Sequence, residues 1–331
     1  MKLATVGTNW ITSRFIEALE ETAGIELEAV YSRSKEKAEA FAHKHHSPSY
    51  FTNLELMAEN EAIDCVYIAS PNSLHFEQAI LFLKNKKHVI CEKPIFSNTA
   101  EFEAAHRKAE ENGVFLFEAL RGIHTPNFKE LKEQLNSIGK VRNVLLHRNK
   151  YSSRYEDVLR GEVPNIFSLQ YSGGALVDLG VYPLSIAAAL FGKPDKSSYS
   201  AALLSTGVDG SGSLVLEYPE FVCTILCSKI STSYNSSEIQ GEQGTIQIDD
   251  TGSLAEINLI DNHSGERHVI GEVESAGNMK YEIAAFLQII GNADWTEYEK
   301  LTQLSREILE ITEAARKQNG IFYPSDKEEM R

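Results

Sequence analysis

Strand-like apolar runs alternate with helix-period segments through the first 120 residues, and this alternation leaves few folds open. The sequence predicts strands at 3–6, 25–31, 63–69, 87–91 and 114–117, with helices at 12–23, 34–43, 74–83 and 99–112. Strands separated by helices form parallel βαβ units. Right-handed crossovers bring the carboxyl ends of such strands to one edge of the sheet, where open α/β folds bind their ligands. From residue 141 the pattern turns to strands, at 141–147, 212–218, 221–229, 236–241, 245–248, 255–260 and 267–270, with helices only at 127–136, 181–190, 281–290 and 300–318. Asp209-Gly210 and Asp250-Thr251-Gly252 read as turns between strands. Two domains are expected, as a length of 331 residues also favours. The first, 1–122, is an α/β doubly wound parallel sheet; the second, 123–331, is an α+β domain on a large, mostly antiparallel open sheet.

Charge narrows the partners. With 32 basic and 47 acidic residues the formal charge is −15, so neither nucleic acid nor a membrane surface is expected as a partner. An anionic small molecule would need a local positive site. No apolar run approaches the roughly 18 residues of a membrane span, and Met1 to Val6 looks like a first strand rather than a signal peptide. The four cysteines, Cys65, Cys91, Cys223 and Cys227, are too few for a disulfide framework, which suits a cytoplasmic protein. Cys223 and Cys227 lie in a β-branched strand pattern, too far apart to share a metal, and no metal is expected. His43, His45 and His46 read as a solvated helix end.

The first strand runs into Gly7-Thr8-Asn9-Trp10-Ile11-Thr12, which has the spacing of G-x-G-x-x-G with only the first glycine kept. Asn9 tolerates positive φ better than most residues and is expected to stand in for the second glycine; Thr12, replacing the third, would hold its helix further from the strand. The second strand ends in Ser32-Arg33-Ser34, with no acid to bind a ribose 2′-hydroxyl. Two hydroxyls and a guanidinium suit a 2′-phosphate, so NADP is expected over NAD. Ser34 also suits a helix N-cap. After the third long strand, Ser70-Pro71-Asn72-Ser73-Leu74-His75 fits the wall of a cofactor pocket, and His75 fits a buried helix start equally well.

The strand at 87–91 stops at Glu92-Lys93-Pro94. Proline pushes the residue before it into extended backbone, which holds Lys93 at the strand's carboxyl end. An ordinary polar strand exit has the same pattern. Far along the chain comes Gly173-Gly174-Ala175-Leu176-Val177-Asp178-Leu179-Gly180-Val181-Tyr182-Pro183. In this order the Gly7 turn, the Pro71–His75 stretch, Glu92-Lys93-Pro94 and the glycine-rich aspartate segment resemble the glucose–fructose oxidoreductase, inositol dehydrogenase and rhizopine-catabolism (Gfo/Idh/MocA) family. The resemblance spans nearly the whole chain, including 281–286 and the last helix.

The resemblance implies an amino-terminal Rossmann domain and a second domain whose open sheet makes a homodimer or homotetramer. It also implies an NAD(P)-dependent oxidoreductase acting on a small-molecule sugar, polyol or dihydrodiol-like substrate. Carried over by position, cofactor binding falls to Gly7, Thr8, Asn9, Trp10, Ile11, Ser32, Arg33, Ser34, Ser70, Pro71, Asn72, His75, Glu92 and Lys93. Lys93 also matches the catalytic-site lysine and Asp178 the substrate-side aspartate. Tyr182 falls where many members have a proton-relaying histidine, and a tyrosine there resembles the dihydrodiol dehydrogenase branch. The chemistry agrees, because moving a hydride leaves the substrate oxygen in need of a proton partner and a positive neighbour. Asp178 shares a face with Tyr182 if this turn is helical, and could then orient Lys93 or a substrate hydroxyl. Without the resemblance, Asp178 and Tyr182 read as a helix cap and a core aromatic. The competing class is a non-catalytic NADP(H)-binding redox sensor. Arg154 and Asp157 are candidates for the substrate pocket.

Overall fold

A computed structural model describes residues 1–272 and 279–327, so 273–278 and 328–331 of the expected second domain lie outside the described residues. The chain divides into two compact units, Met1–Ala119 with Met279–Ser305, and Leu120–Asn278 with Arg306–Arg331.

The first unit begins β1 (Lys2–Val6), α1 (Trp10–Glu20), β2 (Glu26–Tyr31), α2 (Lys35–Lys44), β3 (Ser49–Phe51), α3 (Leu54–Ala58), β4 (Cys65–Ile68), α4 (His75–Lys84), β5 (His88–Glu92), α5 (Thr99–Asn112) and β6 (Leu116–Ala119). The six strands are all parallel, in the order β3-β2-β1-β4-β5-β6. The order reverses between β1 and β4, which opens a crevice beyond their carboxyl ends. Strands β4 and β6 are buried along their whole length, as a sheet covered on both faces requires. The helix boundaries have local causes. Ser34, Asn53 and Asn98 each accept a first-turn N–H, and Gly113 closes α5 with a φ of 66°. Strand β3 and helix α3 lie in what reads as a loop, because three and five residues are too few to display a period.

The second unit contains α6 (Pro126–Gln134), β7 (Val141–Asn149), α7 (Tyr155–Leu159) and a π-helical turn, Leu176–Gly180, that runs straight into α8 (Val181–Phe191). Then come β8 (Lys196–Leu203), β9 (Asp209–Glu217), β10 (Val222–Ser228), β11 (Ser237–Gly241), β12 (Gly244–Ile248), β13 (Ile257–Asp261) and β14 (Arg267–Ile270). Their eight-stranded sheet has the order β14-β13-β12-β11-β7-β10-β9-β8 and is antiparallel except at β7–β10. Two expectations change here. Strand β8 escapes the sequence because it is an edge strand with one buried side chain, Tyr199, and so has no apolar alternation. Asp209-Gly210 is not a turn but the start of β9; the turn lies just before, closed by Leu204 and Val208. A third concerns hydropathy. The helical stretch Leu169–Phe191 is long and apolar enough to cross a membrane, its most apolar 18-residue window having a mean hydropathy of 1.7, yet 67% of that window is buried inside the protein. Its apolarity supplies core contacts.

The chain ends with α9 (Met279–Asn292) and α10 (Trp295–Gln318). A division at 122/123 assigns 279–305 to the second domain, but this stretch belongs to the first unit. The reason is burial: Ile283, Phe286 and Ile289 join Leu3, Phe15, Tyr67, Ile90 and Phe117 in one apolar cluster, and Phe286 stacks on Phe117 with ring centroids 4.4 Å apart.

Candidate active site

In the first unit the expected cofactor residues sit at the ends of β1, β2, β4 and β5. Gly7 has a φ of 111°, and a Cβ there would stand 2.8 Å from the Ala69 carbonyl oxygen, so only glycine fits. Asn9 is not a substitute glycine. Its φ is −87°, and it is the N-cap of α1: Oδ1 accepts from the Ile11 and Thr12 amides, both at 3.0 Å. Extended backbone is what an N-cap needs, and an amide side chain can satisfy two otherwise orphaned donors. Nδ2 of Asn9 donates to the Ala69 carbonyl at 2.8 Å, tying the β1 turn to the end of β4 across the crevice. Thr12 is fully buried and donates to Asn9 Oδ1. Asn9 and Trp10 are exposed. A dinucleotide fits this turn. Gly7 allows close approach, and the Thr8, Asn9 and Trp10 amides at the positive end of α1 precede the two that Asn9 occupies.

At the end of β2, Arg33 is exposed and makes no ion pair among the described residues. Ser34 accepts from the Lys37 amide and donates to Glu36 at 2.6 Å. Beyond β4, Ser70 donates to Gln78 at 2.7 Å, and Pro71 and Asn72 are partly exposed. His75 is fully buried, with Nδ1 3.0 Å from the Pro94 carbonyl and 3.2 Å from that of Ile95, and Nε2 2.9 Å from that of Ser70. Burial holds its imidazole below the ordinary histidine range. Of its two sequence readings, the structure realises the buried helix start: His75 braces two loops rather than facing a pocket.

Lys93 follows β5 directly, joined to Pro94 by a cis peptide bond. The turn is gripped from several sides. Besides His75, Cys91 Sγ donates to the Ile95 carbonyl at 3.5 Å, and the Ile95 amide donates to Glu118 Oε1 at 3.0 Å. Glu118, on β6, is almost fully buried, and burial pushes its carboxyl up to about 7 against the pull of the Ser305 hydroxyl and the Ile95 amide. Glu92 accepts from the Tyr67 hydroxyl at 2.5 Å and from the Lys93 amide at 3.3 Å. Tyr67 itself is stacked on Phe15 with centroids 3.7 Å apart.

In the second unit Asp178 and Tyr182 lie on the π-turn and on α8. The expected shared face assumed an α-helical turn; the chain is π-helical over Leu176–Gly180 and α-helical from Val181. A lysine does hold Asp178, and it is Lys229, whose Nζ donates to Oδ2 at 2.5 Å. The Tyr182 ring lies beneath two guanidinium groups, of Arg148 at 4.5 Å and Arg121 at 5.9 Å from its centroid. Arg148 pairs with Asp250 and Arg121 Nε donates to the Gly252 carbonyl at 3.0 Å, so the Asp250–Gly252 turn anchors both. A Cβ at Gly252 would collide with the Arg148 guanidinium. Asp209, fully buried, accepts from the Leu176 amide at 2.7 Å and the Tyr199 hydroxyl at 2.6 Å, pinning the start of the π-turn. Burial pushes the Asp209 carboxyl up.

Asp157 is buried and paired with Arg154 and Arg160. A cleft of about 390 Å³ lies beside it, lined by Arg154, Glu162, Val163, Pro164, Asn165 and Ile166. The histidines at the end of α2 are not all solvated, because His45 is buried with Nε2 2.9 Å from Ser13 Oγ. Glu118, Arg121, Arg148, Asp209 and Lys229 were not singled out from sequence. Two of them carried a signal: a lone charge within or closing an apolar run, as in Leu116-Phe117-Glu118-Ala119-Leu120 and 221–229.

Comparison with known proteins places this geometry. Residues 1–120 match the oxidoreductase family with an NAD-binding Rossmann fold, and residues 128–247 match the GFO/IDH/MocA C-terminal domain. The chain is 44% identical to scyllo-inositol 2-dehydrogenase (NADP(+)) IolU of Bacillus subtilis (strain 168), covering 99% of each. It is 30% identical to the trans-1,2-dihydrobenzene-1,2-diol dehydrogenase of Mus musculus over 90% of each. Among solved structures, the 3-ketoreductase KijD10 of Actinomadura kijaniata, crystallised with NADP and TDP-benzene, shares the fold with a TM-score of 0.81 at 21% identity, over 96% of this chain and 97% of that one.

Proposed function

Since the chain belongs to the Gfo/Idh/MocA oxidoreductase family, we propose that it is an NADP-dependent dehydrogenase of a sugar or cyclic polyol, with Lys93, Asp178 and Tyr182 at the chemistry. The observation that carries the assignment is Lys93 itself, an ammonium at the carboxyl end of β5 on a turn gripped by Glu118, His75 and Cys91. Such grip is the preorganisation that catalysis needs. The likeness to an NADP-dependent inositol dehydrogenase supports the substrate class and the cofactor.

When bound, NADP would supply the hydride acceptor, and NADPH the donor. The residues of the chain do the rest. Ser32, Arg33 and Ser34 hold the 2′-phosphate. Lys93 steadies negative charge on the substrate oxygen, Tyr182 takes up or returns the hydroxyl proton, and Asp178 accepts a hydrogen bond from a neighbouring substrate hydroxyl. Partly buried apolar residues on the outer face of the large sheet, among them Leu145, Val215 and Leu226, support a homodimer or homotetramer through that face.

The test is a panel of inositols, sugars and trans-dihydrodiols offered with NADP and NAD and followed by nicotinamide absorbance. Turnover with a polyol, faster with NADP, is the expected result. Tight NADPH binding without turnover on any member would replace the enzyme with a redox sensor.

A further inference from the structure

We propose that Lys229 is a positioning residue that fixes Asp178 and the Pro164–Phe167 stretch to one another, so that substrate binding at Asp178 depends on that stretch. The inference rests on the reading of Asp178 as a substrate-binding group. Lysine is almost never fully buried unless it is paired, yet Lys229 is 1% exposed. Its ammonium has three donors. One is spent on Asp178 Oδ2 at 2.5 Å and one on the Ile166 carbonyl at 3.0 Å, while the Phe167 ring covers it at 4.7 Å. The lysine is itself rooted, because its amide donates to the Gly210 carbonyl at 2.8 Å and its carbonyl accepts from the Ser152 amide at 2.9 Å.

The Asp178 side chain keeps 30% of its surface exposed, beside a buried cation that holds its Oδ2. The Ile166 carbonyl also accepts from the Gly174 amide at 3.2 Å. A Cβ at Gly173 would stand 2.7 Å from the Ile166 carbonyl carbon. Gly173 is therefore what lets the chain before Asp178 lie against this stretch. Ile166 and Pro164 line the 390 Å³ cleft, so Lys229 links the wall of that cleft to the aspartate. A buried ion pair is weak support for stability against a well-packed apolar replacement, which leaves geometry as its contribution here.

Four variants test this: Lys229→Met, Lys229→Arg, Asp178→Asn and the double substitution of Lys229→Met with Asp178→Asn. Lys229→Met is expected to raise the substrate KM about 30-fold or more with a smaller change in kcat, and to leave the NADPH Kd within about 2-fold. Asp178→Asn should raise KM similarly, and the double variant should be no worse than either alone, because both remove one interaction. Lys229→Arg should restore part of the KM, and it carries the same test if Lys229→Met fails to fold. In Lys229→Met, amide exchange at Gly174 should accelerate about 10-fold or more. An unchanged KM, or effects that multiply in the double variant, overturns the inference. Should the wild type turn over no polyol at all, the proposed function fails, and unchanged exchange at Gly174 would then still sink the tie.

Discussion

The turn that carries Lys93 is held by hydrogen bonds to its own main chain, whereas the turn that carries Asp178 is held by charges from distant parts of its unit. Around Lys93 the gripped groups are the Pro94 and Ile95 carbonyls and the Ile95 amide. Around Asp178 and Tyr182 the holders are Lys229 and Arg148 with Asp250. The first arrangement fixes a backbone. The second fixes side chains through pairs that are 51 and 102 residues apart in sequence. Main-chain clamps therefore tolerate loss of the side chain they present, and charge clamps do not.

Substitutions can break or sharpen that contrast. The largest effect belongs to Lys93→Met, which should lower kcat about 1000-fold while NADPH binding, by fluorescence titration, stays within a few-fold. Lost NADPH affinity would mean that the turn needs its ammonium to keep its shape. Tyr182→Phe keeps the ring beneath both arginines and should lower kcat about 100-fold with little change in KM; full activity would move the proton transfer to another group.

Glu118→Gln keeps the oxygen that accepts from Ile95 and removes the charge, so turnover should change by only a few-fold. Stability is where it should register. Burial raises the Glu118 carboxyl from its ordinary 4.5 to about 7, so the folded protein holds a proton that the unfolded chain has released between those values. That contribution is complete below about pH 4.5 and is lost as pH rises through about 7. Denaturant unfolding at pH 4.5 and pH 8 should show the wild type losing up to roughly 3 kcal/mol relative to Glu118→Gln, about 2.5 pH units at about 1.36 kcal/mol each. Parallel pH dependence in both proteins would remove Glu118 from the clamp's energetics. The smallest effect is expected at the exposed end of the cofactor: Arg33→Gln should weaken NADP binding about 10-fold and leave NAD unchanged.

The same contrast explains what could be read from the sequence. Strand ends, caps and prolines act locally, so the parallel sheet, the Gly7 turn and the place of Lys93 at the end of β5 were all legible. Asn9 was assigned to the turn for the wrong reason, since it can serve equally as a residue of unusual φ or as a cap. Only the extended backbone seen in the structure separates the two. His75 offered two readings because a histidine at a helix start looks alike whether it faces a ligand or three carbonyls. Lys229, Arg148 and Asp250 were invisible as partners, because charge pairing across a sheet leaves no period or spacing in the chain. The return of 279–305 to the first unit was hidden for a similar reason: an amphipathic helix does not say which apolar surface it will cover.

That return has a consequence for how the protein is made. A ribosome releases the six strands of the first unit early, with Phe117 and Leu3 in place, but α9, whose Phe286 stacks on Phe117, begins to emerge about 160 residues after β6. At ~5–20 residues per second, roughly 8–30 s pass in which this apolar face of the nascent sheet has α1 but not α9 against it. The domain encoded first is thus completed only after most of the second has been made, and a chain cut short anywhere before α9 would lack that cover for its whole lifetime.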